Sequence, residues 1–318
     1  MKTVLQIFLI AVTTCCANAQ LLTTPTPTWK TTFKVVDESG QPVPNAKASV
    51  GYLDTHQITG LTDSNGIFVA SHKDKSFGLA FDVKKAGYYS FHQSYEMGWA
   101  YQYNATKWDP TIKVLLRKIG KPIPMYARNA RIEIPEINKP IGFDLIKNDW
   151  VAPYGKGKQS DFIFTAQRRW IDWKDFDSSF SLSFSHSGDG LIPVLIPLSQ
   201  GSELRMSAIA PVEGYTTNIV KSLSDTPTGG WKHNDREANK DLNYYFRVRT
   251  EMDDQGNVTN ALYGKIYGDF ALDPINSKTL LVFFNFYFNP NSNSRNVEFD
   301  PKRNLSQNLK LLEGVNAP

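Results

Sequence analysis

Ser185 and His186 are adjacent in the sequence, and a serine beside a histidine is the residue pair that nucleophilic hydrolases use. Neighbouring residues of a strand point to opposite faces of the sheet, so this histidine is poorly oriented to take the proton of the serine. The G-x-S-x-G turn of the α/β-hydrolases is also missing, together with the helix that would follow it. We interpret the pair as structural and assign no catalytic residue.

Metal-binding patterns are equally scarce among the five histidines. None of them lies on a predicted helix, where a second histidine or a carboxylate one turn away could share a zinc ion with it. Asp172, Asp175 and Asp177 are spaced like the acids of a calcium loop, but the glycine and the distal glutamate of an EF-hand are missing. We interpret these acids as a solvated turn beside Trp170 and Trp173, and we predict neither a metal nor a cofactor.

Paired carboxylates for glycoside hydrolysis stay open, because the two acids can come from distant strands. The chain has 31 acidic residues, so their presence alone decides nothing. The alternative function is therefore an extracellular hydrolase that acts on glycans or peptides, with its active site in the C-terminal β-domain. That hypothesis needs acids and a cationic partner, and its candidates are Asp172, Asp175, Glu203, Arg205 and His233.

An alternating row of aromatic residues is a candidate binding surface. In a strand, Trp99, Tyr101 and Tyr103 share one face, and Trp108 lies just beyond them. Flat aromatic rings bind the C–H faces of sugar rings and leave polar groups at the edge. The alternative is that the row is an apolar face packed on the second domain. We predict these four residues as a carbohydrate-stacking site, and residues 168–173, with two tryptophans and two arginines, as a second surface.

The elements that must position these residues are strands, because apolar residues recur with period two and helical periodicity is absent. Phe180, Leu182 and Phe184, for example, alternate with serines. The sequence therefore predicts an all-β protein with an N-terminal β-sandwich over residues 30–118. A larger antiparallel β-sandwich of jelly-roll-like type is predicted over residues 161–318.

Two turn signatures mark the first sandwich. Residues 37–46 read D-E-S-G-Q-P-V-P-N-A, and residues 62–68 read T-D-S-N-G-I-F. The Asp63 side chain can accept from the backbone two residues on, and Gly66 tolerates a positive φ. The second signature therefore predicts a tight hairpin between the strands on either side of it.

These segments carry a family resemblance. Residues 33–50, 62–68 and 85–88 together resemble the carboxypeptidase regulatory-like domain, a transthyretin-like sandwich of the immunoglobulin type. The family implies an accessory role on peptidases, outer-membrane transporters, adhesins and polysaccharide-acting proteins. It has no catalytic residues of its own, so none is transferred to this chain. The aromatic-rich stretch 94–110 departs from a compact version of the family.

Proline and turn signals organise the rest of the chain. Residues 119–160 form a Pro-rich connector whose many large apolar residues predict that it packs against one or both domains, for example as edge strands. The turn at 253–257 predicts a long hairpin. Residues 279–288, apolar on both faces, predict a central covered strand, and residues 305–312 are expected to form a short closing helix.

The beginning of the sequence predicts export. Residues 1–19 have the pattern of a secretory signal peptide with cleavage after Ala19, and a Thr/Pro-rich linker follows at residues 20–29. Cys15 and Cys16 both lie in the signal peptide, so the exported chain is expected to have neither thiol nor disulfide. The charge of +4 without blocks of like charge predicts no nucleic-acid partner, and no later apolar run is long enough to span a membrane.

Taken together, these patterns predict a secreted, non-catalytic β-sandwich protein located in the cell envelope (periplasm) or outside the cell. Its predicted role is that of a binding or structural component. Its predicted partners are a polysaccharide, held by the aromatic row, or another envelope protein.

Overall fold

The described part of the chain is built from strands. A computed structural model describes residues 28–52, 55–73, 78–96, 107–197, 200–225, 238–274 and 280–318. Within these ranges the chain forms eighteen strands and a 3-10 helix at Pro301–Arg303, and no α-helix. The prediction of an all-β fold is confirmed, because period-two alternation places apolar residues on one face of each strand. No helix in these ranges is long and apolar enough to cross a membrane.

Two four-stranded sheets form the first sandwich. Its strands are β1 (Thr28–Val36), β2 (Lys47–Tyr52), β3 (Gln57–Leu61), β4 (Ile67–Lys73), β5 (Gly78–Lys84), β6 (Phe91–Glu96), β7 (Lys107–Trp108) and β8 (Thr111–Leu115). One sheet has the order β4-β1-β7, with β8 also pairing with β1, and the other has the order β3-β2-β5-β6. Strand β1 runs antiparallel to β4 but parallel to β7 and β8.

Aromatic residues from both sheets fill the core of the first sandwich. In β1, Phe33 and Val35 are fully buried, while Lys34 between them is exposed. The Phe33 ring meets that of Phe81 from the opposite sheet at a centroid distance of 4.7 Å. Phe91, on the edge strand β6, extends the stack at 5.7 Å from Phe81. Burial of each such ring contributes roughly 1.5–3 kcal/mol to stability.

The predicted hairpin between β3 and β4 is wrong, although its turn forms. Asp63 Oδ1 accepts from the N–H of Asn65 at 2.9 Å and of Ile67 at 2.8 Å, and Gly66 has a φ of 72°. However, β3 pairs with β2, whereas β4 pairs with β1 in the opposite sheet. The buried Thr62 hydroxyl accepts from the N–H of Ala46 and donates to the carbonyl of Val43, both in the segment before β2. These bonds fix the chain just after the end of β3. The turn therefore carries the chain between sheets.

Two five-stranded sheets form the second sandwich. Its strands are β9 (Tyr126–Glu133), β10 (Pro140–Asp144), β11 (Asp149–Trp150), β12 (Phe162–Asp172), β13 (Asp175–Ser183), β14 (Gly190–Leu195), β15 (Ile219–Asp225), β16 (Leu242–Met252), β17 (Val258–Asp273) and β18 (Leu281–Asn289). The sheet orders are β11-β10-β12-β13-β15 and β14-β16-β17-β18-β9. All of these neighbours pair antiparallel.

Two predictions about this sandwich are confirmed. Strands β16 and β17 form the long hairpin, and Asp253 Oδ1 accepts from the N–H of Asn257 at 2.8 Å in its turn. Strand β18 is central, since it pairs with β17 on one side and β9 on the other. Its Phe284 packs edge-on against Phe143 of the opposite sheet, with centroids 6.3 Å apart.

Residues 119–160 supply strands to both sheets of the second sandwich. Strand β9 is an edge strand next to β18, while β10 and β11 lie in the facing sheet. Trp150 lies in β11, and its indole N–H donates to the carbonyl of Glu133 in β9 at 3.0 Å. This hydrogen bond joins the two sheets. The division of the chain into domains at residues 118 and 160 stays a prediction.

The predicted closing helix at residues 305–312 is wrong, because this segment is irregular and lies along the outer edge of β9. The Asn304 side chain donates to the carbonyl of Ala127 at 2.9 Å and accepts from its N–H at 3.2 Å. Farther along, the Asn129 N–H donates to the carbonyl of Glu313 at 2.9 Å. An edge strand presents unpaired backbone groups, and an extended segment satisfies them where a helix would not.

Candidate functional site

The two sandwiches meet through backbone pairing at the edge of β6. Phe91 and Ser202 form an antiparallel bridge, and the His92 N–H donates to the carbonyl of Gly201 at 2.8 Å. The Glu203 N–H donates to the carbonyl of Ser90 at 3.0 Å. The loop after β14 therefore lies on the sheet edge of the first sandwich like a short additional strand.

A buried carboxylate fixes the same junction from the other side. Glu298, 1% exposed, accepts from the Tyr89 hydroxyl at 2.7 Å and from the N–H groups of Gly120 and Lys121 at 2.8 and 2.7 Å. Tyr89 and Glu298 lie 209 residues apart in the chain. Burial and the hydrogen bond to Glu298 raise the pKa of Tyr89 well above its usual value. Each oxygen of Glu298 thus has a donor, as a buried carboxylate requires.

A cleft of about 250 Å³ opens beside this junction. One wall comes from the edge of the first sandwich and the other from the loop after β14. Its lining residues are His92, Ile196, Pro197, Gln200, Gly201, Ser202 and Arg205. None of these residues is an acid, so the described lining offers no pair of carboxylates for hydrolysis.

Arg205 is the main charged group of the cleft. Its guanidinium lies 5.7 Å from the centroid of the Tyr267 ring, and the residue is half-buried. No carboxylate of the described ranges forms an ion pair with it. This cation–π contact leaves the guanidinium N–H donors without a hydrogen-bond partner among the described residues.

Two further polar groups of the cleft are available for a ligand. The Ser202 hydroxyl is buried, and it has no hydrogen-bond partner among the described residues. His92 Nδ1 lies 3.1 Å from Asp82 Oδ1. Because a carboxylate only accepts, Nδ1 holds the proton in the neutral ring and Nε2 is an acceptor.

Tyr267, the ring under Arg205, also contacts a fully buried lysine. Lys265 Nζ donates to the Tyr267 hydroxyl and to the carbonyl of Pro318, both at 2.9 Å. The Tyr267 hydroxyl donates to the same carbonyl at 2.6 Å. Burial lowers the pKa of Lys265 well below its usual value and raises that of Tyr267 well above it. This polar cluster therefore holds the last described residues against β17.

Most of the predicted aromatic row lies outside the described residues. Trp99, Tyr101 and Tyr103 are not among the described residues. Trp108 lies in β7, where its backbone is paired in parallel register with Trp29 of β1. Carbohydrate stacking by these four residues stays a prediction.

The acids of the alternative hydrolase site have local partners. Asp172 Oδ1 accepts from the N–H of Lys174 at 2.7 Å, and Asp175 forms an ion pair of 2.7 Å with Arg169. Glu203 Oε2 accepts from the N–H of Ser90 at 3.2 Å and is not part of the cleft lining. His233 lies outside the described residues. Of the four described candidates, Arg205 alone lines the cleft.

The acids with the spacing of a calcium loop, Asp172, Asp175 and Asp177, lie at the end of the hairpin formed by β12 and β13. In the described part of the chain no group of three or more histidines, cysteines or acids is arranged to hold a metal ion. The Trp170 ring instead stacks on Phe176 at 5.4 Å, and the Arg168 guanidinium lies 4.9 Å from the Trp170 centroid. The Trp170 ring is therefore covered, whereas Trp173 at the end of the hairpin is 49% exposed, and residues 168–173 stay a prediction as a second surface.

Ser185 and His186 meet a third residue, Asp189. The Ser185 hydroxyl lies 3.1 Å from His186 Nδ1, and Asp189 Oδ2 lies 3.3 Å from the same nitrogen. In a catalytic triad the serine and the acid engage opposite nitrogens of the ring. Asp189 also accepts from the N–H of Thr250 at 2.9 Å. A proton relay cannot pass through one shared nitrogen, so this arrangement supports the structural interpretation.

A buried ion pair lies next to these residues. Asp161, 1% exposed, accepts from Arg249 through both oxygens, at 2.7 and 2.9 Å. Asp161 also accepts from the N–H of Leu145 at 2.9 Å. Burial raises the pKa of Asp161, and Arg249 opposes that effect. With its lone pairs in use, this carboxylate stabilises the loop between β11 and β12 and is not free for chemistry.

Comparison with known proteins yields no relative for this chain. No family model matches it, and no curated protein matches it. Among solved structures, 3-chlorocatechol 1,2-dioxygenase from Rhodococcus opacus aligns at a TM-score of 0.25 and 14% identity, over 29% of this chain and 61% of that chain. A streptococcal ancillary pilin aligns at 0.23 and 12%, over 82% and 59%.

A third structure, the major pilin subunit of Bacillus cereus, aligns at a TM-score of 0.23 and 10% identity, over 80% of this chain and 95% of that chain. The chain covers only 61% and 59% of the lengths of the first two structures. At TM-scores this low, the three similarities carry no argument about function.

Proposed function

We propose that the protein is an exported, non-catalytic β-sandwich protein that serves as a structural and binding component of the cell envelope. The observation that carries this proposal is the junction of the two sandwiches. Backbone pairing between residues 90–92 and 201–203, together with the buried Glu298, joins them without a free linker.

A junction of this kind favours a structural role over a catalytic one. Its backbone groups at residues 90–92 and 201–203 and the Glu298 carboxylate are paired, so a relative motion of the sandwiches would break several hydrogen bonds at once. Enzymes that close over a substrate need the opposite property, a hinge that opens at little energetic expense. A fixed pair of sandwiches instead suits a component that bears load or holds a binding surface at a set distance.

The finer parts of the proposal come from the sequence. The first sandwich is proposed as a carboxypeptidase regulatory-like, transthyretin-like module, which would give it an accessory role. The row of Trp99, Tyr101, Tyr103 and Trp108 is proposed as a polysaccharide contact, and the other proposed partner is an envelope protein. Export is supported by the signal-peptide pattern of residues 1–19.

Cell fractionation tests the proposal. An epitope-tagged chain expressed in its source cells is expected in the envelope or extracellular fraction, with Gln20 as its first residue by mass spectrometry. A change of the cleavage-site alanines, Ala17 and Ala19, to leucine is the control and should retain the uncleaved chain. A cytoplasmic wild-type chain that begins at Met1 would overturn the proposal.

The non-catalytic part is tested with the same purified chain. We expect no release of reducing ends from polysaccharides and no cleavage of peptide libraries, and we expect retention on polysaccharide resin. Catalytic turnover that is abolished by Glu203→Gln but not by Asp300→Asn would favour the hydrolase alternative instead.

A further inference from the structure

The junction cleft has the chemistry of an anion site, and no function described above uses it. We propose that the cleft binds an acidic sugar residue, with the Arg205 guanidinium pairing with the sugar carboxylate. The ring hydroxyls of the sugar would contact Gln200, Ser202 and Nε2 of His92. None of the described lining residues belongs to the aromatic row, and the proposal goes beyond the envelope role because it names a ligand class.

The first argument is the unused charge of Arg205. Arg205 is half-buried and forms no ion pair within the described ranges, so its charge is partly desolvated without a compensating acid. Its planar fork of N–H donors matches a carboxylate in bidentate geometry. Its cation–π contact with Tyr267 restricts the side chain, which reduces the conformational entropy lost when a ligand binds.

The second argument is the unpartnered hydroxyl of Ser202. A buried hydroxyl without a partner costs roughly 1–3 kcal/mol, so such groups in native proteins usually have a ligand or a water. The Ser202 hydroxyl has no partner among the described residues, and Ser202 lines the same cleft as Arg205. A ligand that offers both a carboxylate and a hydroxyl would satisfy the two groups together, with the Ser202 side chain turning its hydroxyl toward the cleft.

The third argument is the shape and composition of the cleft. Ile196 and Pro197 give it an apolar wall, which suits the C–H face of a sugar ring. Among the described lining residues there is no lysine and no second arginine, so these residues do not supply the second cation that would favour a dianionic phosphate. Pockets for drug-sized molecules have about 300–1,000 Å³. A cleft of about 250 Å³ therefore suits one sugar residue better than a folded partner.

Calorimetric titration of the exported chain tests the ligand class. The probes are D-glucuronate, D-glucose as the neutral match, inorganic phosphate and a tri-aspartate peptide. We expect glucuronate to bind at least tenfold more tightly than the other three. Equal binding of glucose, or equal or tighter binding of phosphate or the peptide, would overturn the proposal, and so would the absence of glucuronate binding.

Substitutions place the site. Arg205→Met should weaken glucuronate binding at least tenfold, because the charged pair is lost. Arg169→Met is the matched control, since it removes the same charge from an exposed ion pair and should change affinity less than twofold. Gln200→Ala changes an exposed residue that does not support the core, and it should weaken binding about threefold. Unchanged affinity in both Arg205→Met and Gln200→Ala would refute the site.

Chemical shifts of the unaltered protein give a reading that does not depend on the variants. Glucuronate should shift the amide signals of Gly201 and Ser202, while that of Gly256 in the β16–β17 turn should stay in place. Shifts confined to other regions would contradict the proposed site. Failure here would leave the fractionation result untouched, so the ligand proposal and the envelope proposal fail separately.

Discussion

The junction carboxylate allows a sharp test of how the two sandwiches are joined. We predict that Glu298→Gln strongly destabilises the protein, although the two side chains have nearly the same shape. In the native junction, Oε1 accepts from Tyr89 and Gly120, and Oε2 accepts from Lys121. A glutamine amide keeps only one acceptor oxygen, so its NH₂ group must face at least one N–H donor.

The magnitude follows from these contacts. In the best orientation the glutamine oxygen keeps Tyr89 and Gly120, and the hydrogen bond from Lys121 at 2.7 Å is replaced by two opposed donors. Loss of one hydrogen bond to a charged group amounts to about 1.5–3 kcal/mol, and the two remaining bonds become weaker neutral ones. We expect a loss of about 3 kcal/mol in the free energy of unfolding.

The assay is urea unfolding followed by tryptophan fluorescence, together with amide hydrogen exchange. Asp300→Asn is the matched control: it makes the same chemical change two residues away, where the side chain caps the 3-10 helix and asparagine also serves as a cap. Its effect should stay below about 1 kcal/mol. Tyr89→Phe removes one donor and should lie between the two variants.

Hydrogen exchange locates the effect. The amides of Gly120 and Lys121 should exchange faster in Glu298→Gln, while those of the β16–β17 hairpin should change only through global stability. If Glu298→Gln costs no more than Asp300→Asn, or if these two amides keep their protection, the carboxylate does not hold the junction and our reasoning is refuted.

Three further predictions concern other buried groups. Burial lowers the pKa of Lys265 in the folded state, so unfolding takes up a proton at any pH between that lowered pKa and the ordinary value of 10.5. As the pH rises from 7 to 9.5, the free energy of unfolding of the wild type should therefore increase relative to that of Lys265→Met. The increase is at most about 1.4 kcal/mol per pH unit, measured by thermal or urea unfolding. Gly66→Ala should lower the free energy of unfolding in urea by at least 3 kcal/mol, since a Cβ would lie 2.3 Å from the carbonyl oxygen of Val35. Gly40 has a similar φ but open space around it, so Gly40→Ala should cost only about 1–2 kcal/mol. Equal effects of the two substitutions would contradict this prediction. Asp161→Asn should cost about 3 kcal/mol, because Arg249 loses its bidentate partner and keeps only Asp144 at 3.9 Å, and a change under 1 kcal/mol would show that the pair is dispensable.

Much of the fold could be predicted because it is encoded locally. The alternation of buried and exposed residues in β1 and β13 is visible in the sequence and decides that both are strands. The turn at Asp253 joins strands that also pair, so its local signal gave the correct hairpin. The turn at Asp63 has the same chemistry, yet its flanking strands belong to different sheets. A turn sequence fixes the reversal of the chain but not the partner of the next strand.

The candidate site was harder to predict because its parts come from distant positions. Glu298 meets Tyr89 across 209 residues, and nothing near either residue indicates the other. Gln200, Ser202 and Arg205 lie in an irregular loop without periodicity, so their common cleft has no local signal. Lys265 did carry one, since it stands in phase with the buried Tyr263 and Tyr267 of β17.

The strap of residues 304–313 along β9 has a consequence for the order of folding. The residues of β9 are synthesised in the first half of the chain. The neighbours of β9 are β18 and this strap, which are synthesised more than a hundred residues later. Long-range pairing of this kind is slow, because a large loop must close first. The second sandwich therefore completes only after nearly the whole chain has been made. Until then, β9 has unpaired backbone groups on both of its edges.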